Sequence, residues 1–319
     1  MAAVQASGMY TKFDSMPNFR RVNAEYYTDD NVEKSTKLFR SSRPDFLSEK
    51  EAESFTELGI RSIIDCRSAK EYKKADGTKI LDRYYPLYKV KLPLYSRFRY
   101  GSPITYKPVS GGARDMVSKP DANGRHFLIN FFKINYIVAV YNRAPWYLKL
   151  YSLLFLLIDL IFNTGYRYFV RIFARNVLNK EGLVGQYTDM IRYSQNQLYA
   201  ILKLLSDPDN VPAMLNCAHG KDRTGLVTAL VLICFGKSKE FIALDYAKSE
   251  TELEPIKDRV YDEIVNRFHM CTTFTGAKAS SMMGVLEFIE NEYGSLNDYL
   301  EYIGFTEEDQ AKLRENLLL

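Results

Sequence analysis

The chain has 319 residues, 46% of them hydrophobic and 26% charged, the mix of a globular protein with a core and not of a disordered or fibrous one. Its net charge of +4 hides an asymmetry: Tyr95–Arg175 holds twelve Lys/Arg against three Asp/Glu, and Leu286–Leu319 holds two against nine. A basic middle marks a face that meets anions. No aromatic RNA motif, helix-turn-helix pattern or zinc-finger spacing accompanies it, so no nucleic-acid partner is expected.

The N-terminal "MAAVQASGMYTKFDSMPNFRR" has no apolar h-region, so no secretory signal is expected and the expected location is cytoplasmic. The segment "KLFRSSRPDFLSEKEAESFTELGIRSIIDCRS" then reads as strand, turn, helix, strand. Ser48 with Glu51 makes a capping box, and Gly59 ends the helix. "RSIIDC" (Arg61–Cys66) is a short buried strand and Tyr84–Leu94 a third, followed by a polar loop to about Asn123. Strand–helix alternation points to an α/β sheet with crossovers.

The stretch Ala144–Leu178 interrupts this pattern. Its first half is about 17 apolar residues with Lys149 and Asp159 inside, too short and too charged for a membrane span. Pro145 suits a first helical turn, and Asn163–Gly165 a break. In the second half Arg167, Arg171 and Arg175 recur every four residues, with Phe169, Phe173 and Val177 on roughly the opposite side. The stretch is an amphipathic helical hairpin. It reads either as a helical pair packed into the core or as a lid over an apolar rim, the latter with peripheral membrane contact through its arginines while Phe169 and Phe173 insert.

Next comes "NVPAMLNCAHGKDRTGLVTALVLICFG". The strand Val211–Cys217 runs into a loop and then a helix beginning near Thr224, with further helices at about 224–236, 238–249, 255–268 and 280–292 and two short ones at the end. The four cysteines, Cys66, Cys217, Cys234 and Cys271, form no C-x-x-C pair, which argues against a zinc site or disulfide framework and for a reducing compartment. Cys217 and Arg223 are separated by five residues. A loop of that length wraps a tetrahedral oxyanion: backbone N–H groups and the helix N-terminus point inward, and the arginine closes a bidentate clamp. The same field favours a nucleophilic thiolate. Together they spell attack on phosphorus through a cysteinyl-phosphate, with no metal or cofactor. The plain alternative is a buried cysteine beside a solvated charge run, but a glycine-flanked charged loop without an anion would be costly.

This loop resembles the signature of cysteine-dependent phosphatases. Its "GKDRTG" form is similar to the atypical tyrosine and lipid phosphatases typified by mycobacterial protein tyrosine phosphatase B. The resemblance extends to "FRSSRP", "LGIRSIIDCRSAKEY", a helical insertion at about 130–180 and the C-terminal "YGSLNDYLEYIGFTEEDQAKLRENLL". It implies one phosphatase domain over residues 1–319, with a mostly parallel central sheet flanked by helices, acting on phosphotyrosine proteins or phosphoinositides. It further implies Cys217 as nucleophile, Arg223 as phosphate clamp, Asp222 as candidate acid, and Ala218, His219, Gly220, Lys221 and Thr224 around the substrate. Lys221 would supply the charge that admits phosphoinositides. Asn216 stands where the family has histidine, which leaves a phosphate-binding pseudophosphatase as the alternative. The usual Trp-Pro-Asp acid loop is absent. Asp65 is the second acid candidate, with pairing to Arg67 or Arg40 as its other role. Cys66 ends its strand; if that strand neighbours the Cys217 strand, Cys66 would trap an oxidised Cys217 as a disulfide, and otherwise it is an inert strand-end residue.

Overall fold

The structure, a computed structural model, describes residues 13–23, 26–27, 33–93, 103–109, 124–162 and 167–318. Among them a seven-stranded sheet is built from β1 (Arg20–Arg21), β2 (Leu38–Ser41), β3 (Ser62–Asp65), β4 (Leu87–Val90), β5 (Tyr106–Pro108), β6 (Arg125–Leu128) and β7 (Ala213–Asn216). Their spatial order is β1-β2-β7-β3-β6-β4-β5. The five inner strands are parallel and the two edges antiparallel. Tyr26–Tyr27 pairs with Glu33–Lys34 in a separate two-stranded sheet.

Inner strands buried on both faces read as short apolar runs, and alternation decides which side chain goes where. Phe39, Met214 and Ile63 lie side by side in register and enter one cluster, with Phe55 of α1 (Glu49–Glu57) and Tyr85. Leu38, Ala213, Leu215 and Ile64 enter the larger cluster on the other face. Helix α1 begins at the expected capping box, with Ser48 and Glu51 satisfying each other's backbone N–H groups, and Gly59 follows it at φ +67°. A second capping box, Ser68 with Glu71, opens α2 (Ala69–Lys74).

Three strand expectations need correction. The strand expected over Tyr84–Leu94 spans only Leu87–Val90, because a 3-10 turn at Ile80–Arg83 runs up to Tyr84. The polar loop expected from Leu94 to Asn123 contains the edge strand β5 at its described residues. The Val211–Cys217 strand is reduced to Ala213–Asn216, since Pro212 has no N–H for the ladder.

The insertion holds α3 (Ile134–Arg143), α4 (Trp146–Ile161) and α5 (Arg167–Phe173), and a π-helical turn at Ala174–Leu178. The Asn163–Gly165 break and the Arg167 side chain lie outside what is described. Asp159, the acid inside the apolar run, is buried and accepts hydrogen bonds from the Tyr168 and Phe169 N–H groups, so it caps the start of α5. Phe169 and Phe173 turn inward, and it is α4 that is exposed. The expected insertion of those two rings into a membrane is therefore wrong: their stripe is needed against the protein.

The chain continues through α6 (Asn179–Tyr193), kinked at Gly182, and α7 (Gln195–Leu205). The helices expected after the loop are α8 (Asp222–Cys234), α9 (Lys239–Glu252), α10 (Lys257–Tyr261) with a π-helical continuation to Arg267, and α11 (Ala279–Tyr293). The two short C-terminal helices are α12 (Leu296–Tyr302) and α13 (Glu307–Leu317).

The closest backbone approach is between the loop after β7 and the end of β2. Gly220 has φ +67°, and a Cβ there would lie 2.1 Å from the Ser41 carbonyl oxygen. Strain and clash add at this position, so Gly220→Ala should lower unfolding stability by about 3 kcal/mol in a denaturant titration. A loss under about 0.5 kcal/mol would show that the loop relaxes freely.

Candidate active site

Four strands end at one level. Ser41 of β2 and Asp65 of β3 both partner Asn216 of β7, and Leu128 of β6 partners Asp65. The segments that follow, Ser42–Arg43, Cys66–Arg67, Ile129–Phe132 and Cys217–Lys221, therefore emerge together at the carboxyl edge, where ligands sit in open parallel sheets.

The loop is anchored from outside by side chains aimed at its carbonyls. Asn18 Nδ2 donates to the His219 and Gly220 oxygens at 3.2 and 2.9 Å, and Arg40 donates to the Gly220 oxygen at 3.0 Å. The Arg43 N–H donates to the Ala218 oxygen. Arg40 is fully buried and pairs with Asp245 at 2.9 Å, and it also donates to Ser249 Oγ. Its place is behind the loop, as support.

Arg223 stands in the first turn of α8. One guanidinium nitrogen, Nη1, donates to the Cys66 carbonyl (2.9 Å) and Glu71 Oε2 (3.0 Å), and Nη2 donates to Glu71 Oε1 (2.9 Å). Burial alone would lower its pKa, but the Glu71 charge outweighs that and raises it. Among the described residues the Nε–H and one Nη2 hydrogen have no protein partner, leaving a free edge for an anion. The guanidinium lies over the Phe132 ring at 5.3 Å.

Asp65 has a different fate from the proton donor considered above. Its carboxylate accepts from the Arg67 backbone N–H and guanidinium and lies 3.3 Å from His126 Nε2. Burial pushes its pKa up, yet Arg67 and His126 together hold it well below the usual range. Arg67 also forks onto Asp45 at 2.6 and 2.9 Å. Asp65 is thus a structural ion-pair partner of Arg67, not of Arg40.

Asp222 Oδ1 accepts from Tyr187 Oη at 2.5 Å, with Lys221 Nζ at 3.3 Å, and Tyr187 in turn meets Tyr246 Oη at 2.7 Å. Burial would raise this carboxyl, but the Lys221 charge and the Tyr187 hydrogen bond prevail and hold it below the ordinary value. Lys221 itself is fully buried and donates to the Phe274 and Gly276 carbonyls at 2.6 and 3.0 Å. The expected Lys221 contact with substrate is thereby corrected: its ammonium is committed to backbone. His219 Nε2 lies 2.9 Å from Glu263 Oε2, and Arg43 pairs with the other carboxylate oxygen at 2.7 Å. Burial raises Glu263, and the His219 hydrogen bond with the Arg43 charge overrides it, bringing the pKa down to about 2.

A cavity of about 470 Å³ opens above the loop. Ala218, His219, Asp222 and Arg223 form its polar floor, and its apolar wall includes Phe132 and Tyr136 together with Phe169 and Phe173 of the hairpin. Gly220, Lys221 and Thr224 do not line it. Cys217 is 1% exposed at the end of β7, and the register sets Cys66 beside it, with the Cys66 N–H bonded to the Asn216 oxygen. Burial pushes the Cys66 thiol up. The Asn216 side-chain amide and the Thr224 hydroxyl are buried with no hydrogen-bond partner among the described residues.

Glu71, Tyr187, Glu263 and Asn18 escape a reading of the sequence. Glu71 left a trace, since Ser68 and Glu71 form an S-x-x-E capping pattern. Its distance of 152 residues from Arg223 left none.

A mostly parallel α/β sheet that gathers a cationic strand–loop–helix at its carboxyl edge is consistent with the phosphatase class. The chain belongs to the tyrosine phosphatase family, whose model matches residues 11–145 and 170–319. It is 30% identical over 139 residues to the triple specificity protein phosphatase PtpB of Mycobacterium tuberculosis, covering 39% of this chain and 50% of that protein. It is 25% identical over 148 residues to a tyrosine-protein phosphatase of Nostoc commune, covering 41% and 47%. The chain spans about half the length of the curated relatives it matches.

The Glu263 pair predicts an acid dependence. Its folded pKa lies below the ordinary 4.5, so its stabilisation is complete above pH 4.5 and is lost as pH falls towards 2. Glu263→Gln should flatten the loss of unfolding free energy between pH 4.5 and 2 relative to wild type. Parallel curves would mean that Glu263 gains nothing from its partners.

Proposed function

We propose that this protein hydrolyses phosphate monoesters through a cysteinyl-phosphate intermediate. The observation that carries the reading is the free edge of Arg223, oriented by Glu71 and the Cys66 carbonyl on the floor of an aromatic-walled pocket, one loop away from Cys217. Cys217 Sγ attacks phosphorus in line; the S–P bond forms as the ester P–O bond breaks. Arg223 and the loop N–H groups hold the equatorial oxygens. Water then attacks phosphorus, the S–P bond breaks, and inorganic phosphate leaves with the thiolate restored.

Asp222 handles the proton in both halves. It is ionised before substrate arrives, so a substrate entering as the monoanion brings the proton that Asp222 passes to the leaving oxygen. The resulting carboxylate, still hydrogen-bonded by Tyr187, takes a proton from the attacking water. The pocket wall of Phe132, Tyr136, Phe169 and Phe173 favours an aryl phosphate, hence phosphotyrosine in a protein. The triple specificity named for the mycobacterial relative supports a wider range, with phosphoinositide headgroups as the second class. Lys221, being buried, contributes to that range only through the loop's overall charge. The hairpin is a lid because its α5 wall closes the pocket side, and residues 146–169, which the family match skips, can vary without disturbing the loop.

Cys217→Ser should lower turnover of p-nitrophenyl phosphate at least about a thousandfold, and Arg223→Ala should damage both KM and kcat. Asp222→Asn should cost about a hundredfold on an alkyl phosphate, whose leaving group needs the proton, and far less on the aryl ester. Equal, negligible effects on both substrates would place the acid elsewhere.

Oxidation gives a second test. Peroxide converts the Cys217 thiolate to the sulfenic acid with release of hydroxide, and the Cys66 thiol then displaces water to form a disulfide. Mass spectrometry after peroxide should find a Cys66–Cys217 peptide link, reversed by dithiothreitol. Overoxidation of Cys217 to the sulfinic acid, without any link, would remove Cys66 from this role.

A further inference from the structure

Helix α4 is absorbed by neither the sheet nor the pocket. The family match ends at residue 145 and resumes at 170, so all of α4 lies outside the matched residues. Its two fully buried positions are Ser152, which bonds within the helix, and Asp159, which caps α5. The rest presents apolar surface: Trp146 and Ile161 are each 74% exposed, and Leu150, Leu153, Leu154 and Leu157 are each more than half exposed. No α4 side chain lines the pocket, where the hairpin contributes α5 instead. A soluble monomer seldom leaves a contiguous apolar face of this kind uncovered.

Charge decides what covers it. Residues 131–180 carry seven Lys/Arg and a single acid, the buried Asp159; of the seven, Arg143 is paired with Glu181 and Asp189, which leaves six cations. Arg175 is exposed and Arg171 partly so. A second copy of the chain would lay this patch against itself and bring like charges together. An anionic bilayer satisfies both requirements at once. Helix α4 also opens with Trp146 and Tyr147, the side chains that settle at headgroup level, and carries Tyr151 one turn on. At 16 residues it is about 24 Å long, short of the roughly 30 Å hydrocarbon core. No helix among the described residues is long and apolar enough to cross a membrane. Such a helix lies in the interface plane.

We propose that α4 is an interfacial helix that seats the protein on anionic lipid bilayers, with the flanking arginines against the headgroups and α5 between the bilayer and the pocket. The surface contact rests on α4 and its charges, not on the phosphatase reading, and the Cys217→Ser protein binds as wild type does.

Co-sedimentation with vesicles of phosphatidylcholine alone or with phosphatidylserine tests this. Wild type and Cys217→Ser should both partition onto the anionic vesicles and much less onto the neutral ones. Leu154→Glu with Leu157→Glu should weaken anionic binding at least tenfold while p-nitrophenyl phosphate turnover and Tm stay unchanged. Arg171→Gln with Arg175→Gln should weaken it about thirtyfold and leave the neutral vesicles unaffected. If the glutamate pair lowers Tm, Leu150→Gln with Leu154→Gln and the arginine pair carry the decision. Failure of wild type to bind, or equal binding by all variants, overturns the proposal. So does a wild-type dimer in analytical ultracentrifugation that the leucine variants turn into a monomer, which would assign the face to a second copy. Loss of turnover in Cys217→Ser with vesicle binding intact separates the two readings.

Discussion

A fully buried guanidinium, that of Arg40, holds the loop to the body of the protein. It spans Asp245 of α9, Ser249 Oγ and the Gly220 carbonyl, and so ties a loop peptide to a strand and to a helix at the same time. A charge with no solvent contact stays in place only if each neighbour is polar and paired, and removing either member of such a pair typically costs about 3–5 kcal/mol. That demand fixes the position of Gly220, whose close approach to Ser41 leaves no room for a side chain. Asn18 and Arg43 repeat the device on neighbouring carbonyls. Three successive carbonyls of the loop, those of Ala218, His219 and Gly220, are thereby tied to the body of the protein.

The same economy governs the charges on the pocket floor. Each cation in and behind that floor is held by named oxygens: Arg223 by Glu71 and the Cys66 carbonyl, Lys221 by two backbone oxygens and Asp222, and Arg43 by Glu263. Of these three cations Arg223 is the one that lines the cavity. Two carboxyls thus have different surroundings. Asp65 is enclosed by Arg67, whereas Asp222 sits on the cavity floor with a tyrosine hydroxyl as its partner.

The hairpin shows how one insertion serves two surfaces. Asp159 uses its only charge to start α5, and that fixes the turn of α5 so that Phe169 and Phe173 close the cavity wall. Helix α4 is then left outside, with its leucines facing outward. The cavity side of the insertion is thus set by α5 and the outer side by α4, with Asp159 of α4 joining the two.

Much of this was legible in the sequence by itself. The strands around Phe39, Ile64 and Leu215, the capping box at Ser48, the helices after Thr224 and the Cys217–Arg223 loop all follow from local periodicity and local hydrogen bonding. These are short-range properties, carried by residues a few positions apart. Tertiary structure alone decided the rest. Which face of the second hairpin helix turns inward, that Lys221 is spent on backbone, that Asp65 belongs to Arg67, and that Glu71 and Tyr187 serve the loop all depend on groups up to 152 residues apart. The sheet's parallel register brings four strand ends to one edge, and a long-range charge pairing leaves no periodic mark along the chain.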